Sequence, residues 1–158
     1  GASGVVFFLA TYAFKNLGAF IAVLANSHRP NSDEIADYAG MGRRAPVPAA
    51  VLTVCLLSLT GLPPTAGFFA KLYIFNAAVQ ADLVWLVILG VLHTVLSAFY
   101  YLGVARQMYA TTAEGEPEIT APLMTQSLLV IAAAGVIAIG LYPIPLIDAA
   151  PRAVNVFA

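Results

Sequence analysis

Four stretches of this chain each run for about 20 residues or more with scarcely a charge, the length an α-helix needs to cross roughly 30 Å of hydrocarbon. They cover about Val5 to Asn26, Pro46 to Gln80, Leu83 to Tyr109 and Pro122 to Ile147. With 61% of its 158 residues hydrophobic and 9% charged, the chain has too little polar surface to cover a soluble core. The expectation is therefore an all-α membrane protein of four transmembrane helices. The same composition excludes disorder, and a single cysteine excludes a disulfide scaffold or an iron–sulfur cluster held by this chain alone. A net charge of −1 with seven basic residues spread along the chain argues against nucleic acid as a partner. The first stretch lacks a positive n-region and exceeds the apolar length of a signal peptide, so it reads as a span. Opening on Gly1 without an initiator Met, the chain reads as processed or as a piece of a longer one.

Between the first two spans, the loop 27–45 is polar. Within it, Ser32 to Tyr38 predicts a short capped helix with acids in its first turn, stopped by Gly40 and Gly42. The link from Ala110 to Ala121 carries Glu114, Glu116, Glu118 and Pro117 and reads as a solvated loop. Arg29, Arg43, Arg44 and Arg106 flank span ends on one side and Arg152 alone on the other. The positive-inside rule then makes loop 27–45 cytoplasmic and turns the C-terminus outward.

The second span is too long and too interrupted to be a simple anchor. Its 35 residues as one helix would reach roughly 52 Å. At its middle stands Gly61-Leu62-Pro63-Pro64-Thr65-Ala66-Gly67. Pro64 drives Pro63 out of the helical region, and neither proline offers a backbone donor. The expectation is two half-helices, about Pro46 to Thr60 and Gly67 to Gln80, discontinuous across Gly61 to Gly67. A proline kink in a packing helix is the plain alternative. Two prolines between two glycines favour a true break, and broken helices at membrane depth line cavities or ion sites.

Three ionisable groups fall at one depth. Lys71 lies nine residues before Gln80, roughly 14 Å in, and near the positive end of its half-helix. Lys15 and His93 are each roughly 15 Å along their spans. A lysine stem of about 6 Å cannot snorkel that distance, so these groups must face the protein interior or a hydrated cavity. There a lysine can exchange its proton in response to a neighbouring charge, and histidine does so readily. Structural pairing or a hydrogen-bonded packing role is the competing reading for each. Asn16, Thr53, Ser58, Thr60, Thr65, Asn76, Thr94, Ser97, Tyr100 and Tyr101 could hold connecting water, although lone Ser and Thr in membrane helices are mostly bonded to their own backbone. No glycine-rich nucleotide pattern occurs. Two histidines 65 residues apart and the lone Cys55 make no metal constellation.

These residues also carry a resemblance. Asp37-Tyr38-Ala39-Gly40-Met41-Gly42-Arg43-Arg44-Ala45-Pro46 resembles the cytoplasmic approach to the broken helix in antiporter-like subunits of respiratory complex I. Leu59 to Tyr73, with Gly-Leu-Pro-Pro, Phe68 and Lys71, is similar to that helix and its mid-membrane lysine. Ser97 to Leu102, ending at Met108-Tyr109, resembles the next span of the NADH-quinone oxidoreductase subunit N family, which includes mitochondrial subunit 2. The resemblance implies part of an antiporter-like inverted-repeat fold, the last four of fourteen spans. It further implies a proton-translocating membrane subunit of the bacterial plasma membrane, with Lys71 passing protons through the outward half-channel. Other membrane subunits, lipid, protons and water would be the partners. NADH, FMN, iron–sulfur clusters and quinone would be used elsewhere in the complex, leaving no cofactor in this chain. Lys15 stands where such subunits more often carry an uncharged residue such as Met, and His93 where Asn is common; either they add ionisable sites to the path or they mark a divergent branch with a different one. A subunit of an Mrp-type Na⁺/H⁺ antiporter and a purely structural docking bundle remain the alternatives.

Overall fold

The structure, a computed structural model, describes residues 2–26, 34–110 and 122–149. Arg29, Ser32, Asp33, the acidic link and Arg152 fall outside the described residues. Among the described residues the main α-helices follow in this order: α1 (Ala2–Asn26), α2 (Met41–Arg44), α3 (Pro46–Thr60), α4 (Ala66–Gln80), α5 (Val84–Ala110) and α6 (Leu123–Leu141). A 3₁₀ turn, Ile35–Tyr38, precedes α2.

Among the described residues, three helices are long and apolar enough to cross a membrane: Ser3–Ala25, Val84–Ala110 and Leu123–Leu141. The helices α3 and α4 have 15 residues each, about 22 Å, and neither reaches across alone. Where the second of the four crossings is expected, the structure has these two short helices.

The boundaries differ from expectation in four places. First, α1 begins at Ala2, three residues before the expected start. Second, the described part of the helix expected over Ser32 to Tyr38 is a 3₁₀ turn, Ile35–Tyr38, whose flanking Glu34 makes no side-chain cap. Gly40, at φ 67°, does end that turn, but Gly42 lies inside α2 because the left-handed Gly40 lets a new turn start directly. Third, α4 starts at Ala66, so Gly67 belongs to its first turn and the break is confined to 61–65. Fourth, the last span ends at Leu141 instead of Ile147. Pro143 has no donor and pushes Tyr142 out of helical geometry (φ −135°, ψ 75°), after which the chain turns helical again over 144–149.

The interrupted pair forms the middle of the bundle. On one side α1 and α6 pack against both α3 and α4; on another, α5 lies along the pair. Two apolar clusters hold this arrangement. One gathers Ala22, Met41, Ala49, Leu52, Cys55, Met108 and Leu129 around α3. The other seats Phe7 against Ala70 of α4, with Phe69 and Ile139 beside them. In the first cluster the end of α1, the start of α3, the end of α5 and the start of α6 meet, which brings Arg43, Arg44 and Arg106 to one end of the bundle. Small residues allow close approach where no hydrophobic drive separates helix from lipid. A Cβ on Gly140 of α6 would overlap the Pro64 carbonyl oxygen, so α6 rests directly on the break.

Candidate functional site

An α-helix ends with four carbonyls that have no partner inside it, and the last turn of α3 uses all four. Gly61 adopts the left-handed conformation at φ 83°. Its N–H donates to the carbonyls of Leu57 and Ser58, while the Leu62 N–H donates to Leu57 (3.1 Å each). This is the glycine-terminated arrangement that closes a helix and reverses the chain. Two carbonyls remain, those of Leu59 and Thr60, and both accept from the Lys71 amine, at 3.1 and 2.9 Å.

The third donor of that amine goes to the Thr94 hydroxyl on α5, at 3.2 Å. Thr94 in turn donates to the Gly90 carbonyl at 2.9 Å. All three N–H bonds of a lysine ammonium are thereby occupied. Although Lys71 is rooted in the second turn of α4, its amine reaches back to the C-terminal, negative end of α3. The expectation that the positive end of α4 governs it is corrected on this point, because the side chain is long enough to bridge the break.

Gly61 makes room for that reach. A Cβ there would stand 2.9 Å from Lys71 Cδ. The start of α4 is tied down from the same turn of α3: the Gly67 N–H donates to the Ser58 hydroxyl at 3.0 Å, and a Cβ on Gly67 would overlap the Ser58 carbonyl oxygen. The two half-helices are therefore joined by Ser58 on one side and by Lys71 on the other. Pro63 and Pro64, linked by a cis peptide bond, stand exposed at the far side of the turn.

Beside the break lies a cavity of about 560 Å³ that brings together Lys71, Lys15 and His93. The Lys15 side chain is fully buried, and its amine sits 5.5 Å from the Phe8 ring centre and 5.4 Å from that of Tyr12. His93 is exposed along the same wall of α5. Asn16, Ser97 and Tyr101 add polar lining. Thr53, Thr60 and Thr65 instead donate to carbonyls three or four residues back, as isolated hydroxyls in membrane helices do.

Two contacts of this site have no signal of their own in the sequence. Thr94 and Ser58 stood among ten small polar residues with nothing to rank them. The adjacency of Thr94 to His93, at the depth of Lys71, was the available signal for the first; the second depends on a chain reversal that no local pattern specifies. A pair of amines in one cavity beside a helix break can hold and pass protons, provided water fills the space between them.

Comparison with known proteins bears on the same segment. Residues 1–97 match the family described as NADH:quinone oxidoreductase/Mrp antiporter, transmembrane. The chain is 39% identical over 155 residues to NADH-quinone oxidoreductase subunit N of Desulfitobacterium hafniense, and 42% identical over 161 residues to that of Desulforamulus reducens. These alignments cover 98% and 99% of the chain but 31% and 33% of the relatives, so the chain spans about a third of their length. A chain of respiratory complex I from Thermus thermophilus superposes with a TM-score of 0.82 at 31% identity, over 94% of this chain and 34% of that one. A chain of the Mrp complex from a Dietzia species superposes at 0.81 with 19% identity, over 95% and 36%, which shows the shared fold. The matched residues and the superposition agree: this all-α, multi-span membrane bundle belongs to the NADH:quinone oxidoreductase/Mrp antiporter transmembrane family.

Proposed function

We propose that this chain is the C-terminal membrane part of a proton-translocating subunit of NADH:quinone oxidoreductase, and that Lys71 passes protons toward the outward face. In this reading α3 and α4 make one interrupted crossing, giving four in all. Loop 27–45 is cytoplasmic and the C-terminus lies outside the bacterial inner membrane. The subunit docks against other membrane subunits, which with their peripheral partners handle NADH, FMN, iron–sulfur clusters and quinone. Identity of about 40% to subunit N relatives supports the redox-driven reading over the Mrp-type antiporter reading.

The observation that carries the proposal is the Lys71 amine held at the break by Leu59, Thr60 and Thr94, on the wall of a cavity that also holds Lys15 and His93. Deprotonating an ammonium so held removes one of its three donated N–H groups and changes the charge facing Lys15. A charge arriving along the bundle can therefore alter the occupancy of Lys71 by Coulomb interaction, which is strong in a poorly hydrated interior. Lys15 and His93 provide further stations on the cavity wall. The chain itself performs no redox step in this scheme.

The test is proton translocation by the assembled complex in vesicles. Lys71→Ala is expected to lower the proton-to-electron ratio while leaving electron transfer into quinone measurable. An unchanged ratio would refute the role assigned to Lys71. Sodium-dependent transport without redox coupling would favour the Mrp-type reading.

A further inference from the structure

From the hydrogen bonds around Lys71, we infer that Thr94 is the positioning residue that lets Lys71 change protonation state without leaving the break. The inference rests on the proton-exchange role just proposed for Lys71. The three partners of the amine are not equivalent. The carbonyls of Leu59 and Thr60 can only accept, whereas the Thr94 hydroxyl can accept and donate.

In the charged state the ammonium donates three times and Thr94 turns its own hydrogen to the Gly90 carbonyl. When the proton leaves, the N–H bond that breaks leaves its electron pair on Nζ, and the proton passes to a water molecule in the cavity. The neutral amine keeps two N–H groups for the two carbonyls. Its lone pair cannot face either of them, so it turns toward Thr94. Rotation of the hydroxyl then points its hydrogen away from Gly90 and onto that lone pair. The Gly90 carbonyl loses only this additional bond.

This geometry also fixes where the proton is exchanged. Leu59, Lys71 and Thr94 all line the cavity, but of the three partners the Thr94 hydroxyl is the one that can answer a lost N–H with its own hydrogen. The broken and re-formed N–H bond is therefore the one on the Thr94 side, toward the space shared with Lys15 and His93. A hydrophobic residue of the same shape would leave the ammonium one acceptor short and the neutral amine without a donor.

The experiment compares Thr94→Val with Thr94→Ser in the assembled complex, reading the proton translocation rate and its slowing in D₂O. Valine keeps the shape and removes the hydroxyl. It is expected to slow translocation by at least about tenfold, the lower end of what the loss of one hydrogen bond to a charged group gives. Serine is expected to restore the rate to within about twofold, since it returns the same donor and acceptor. A wild-type rate in Thr94→Val, or a Thr94→Ser rate as slow as valine, would overturn the inference. Should the valine variant fail to assemble, Thr94→Cys takes its place: a thiol donates and accepts weakly, so its rate must fall below that of serine. Equal rates for serine and cysteine would overturn the inference as well. The Lys71→Ala measurement separates the two claims. If it abolishes pumping while Thr94→Val leaves pumping unchanged, only the role of Thr94 fails.

Discussion

Two lysines reach the same cavity and are held there by different chemistry. The Lys71 amine is surrounded by oxygens, two from the C-terminal end of α3 and one from α5. Among the described residues, the partners of the Lys15 amine are the faces of Phe8 and Tyr12, on its own helix. Hydrogen bonds to a charged group contribute about 1.5–3 kcal/mol each and demand direction; a cation over an aromatic ring gains about 0.5–2 kcal/mol and tolerates rotation. Lys71 is thus a structural clasp as well as an ionisable group, because its donors complete a helix end. Lys15 completes nothing in the backbone. Deprotonation removes a donated N–H at the first site and none at the second. The lesson is that an ionisable residue within a bundle can be tied to the fold or merely housed by it, and the two should respond differently to substitution.

The largest expected effect comes from removing the clasp. Lys71→Met leaves the Leu59 and Thr60 carbonyls without their donor, and unfolding in detergent should show a loss of about 2–3 kcal/mol. A variant as stable as wild type would mean that the oxygens are satisfied without the amine, and the contrast with Lys15 would disappear. Gly61→Ala should cost about 1–2 kcal/mol, since the residue is left-handed and its new Cβ would press on the Lys71 stem 2.9 Å away. Translocation should fall in the same variant because the amine is displaced. Lys15→Met should have the smallest effect on stability, no more than about 1 kcal/mol, because methionine keeps the packing against both rings. A larger loss at Lys15 than at Lys71 would reverse the comparison.

How far the sequence was legible follows the same division between local and distant causes. The end of α3 at Thr60 was readable because glycine and proline act on their own backbone, and that of α4 at Gln80 because the apolar run stops at Gln80 and Asp82. Lys71, Lys15 and His93 could be placed together by counting residues along helices, since a helix converts sequence position into length. The partners of those residues were not readable. Which oxygens meet Lys71 depends on how the chain doubles back through 61–65, and the ring contacts of Lys15 depend on rotamers of Phe8 and Tyr12. The last span was extended to Ile147 because its apolar character continues, although Pro143 marks the true end. Gly67 was read as part of the break, while it acts as a contact: its missing side chain lets α4 touch Ser58. Local signals thus located the break, but its chemistry lies in contacts between segments.

The central claim is that Lys71 gains and loses a proton during turnover while remaining at the break. Infrared difference spectra of the working complex, recorded with isotope-labelled lysine, observe this directly through the ammonium bending bands. The account predicts a lysine signal that vanishes in Lys71→Met and persists, altered in position, in Thr94→Ser. A lysine signal unaffected by Lys71→Met, or no lysine signal in the wild-type complex, would contradict it.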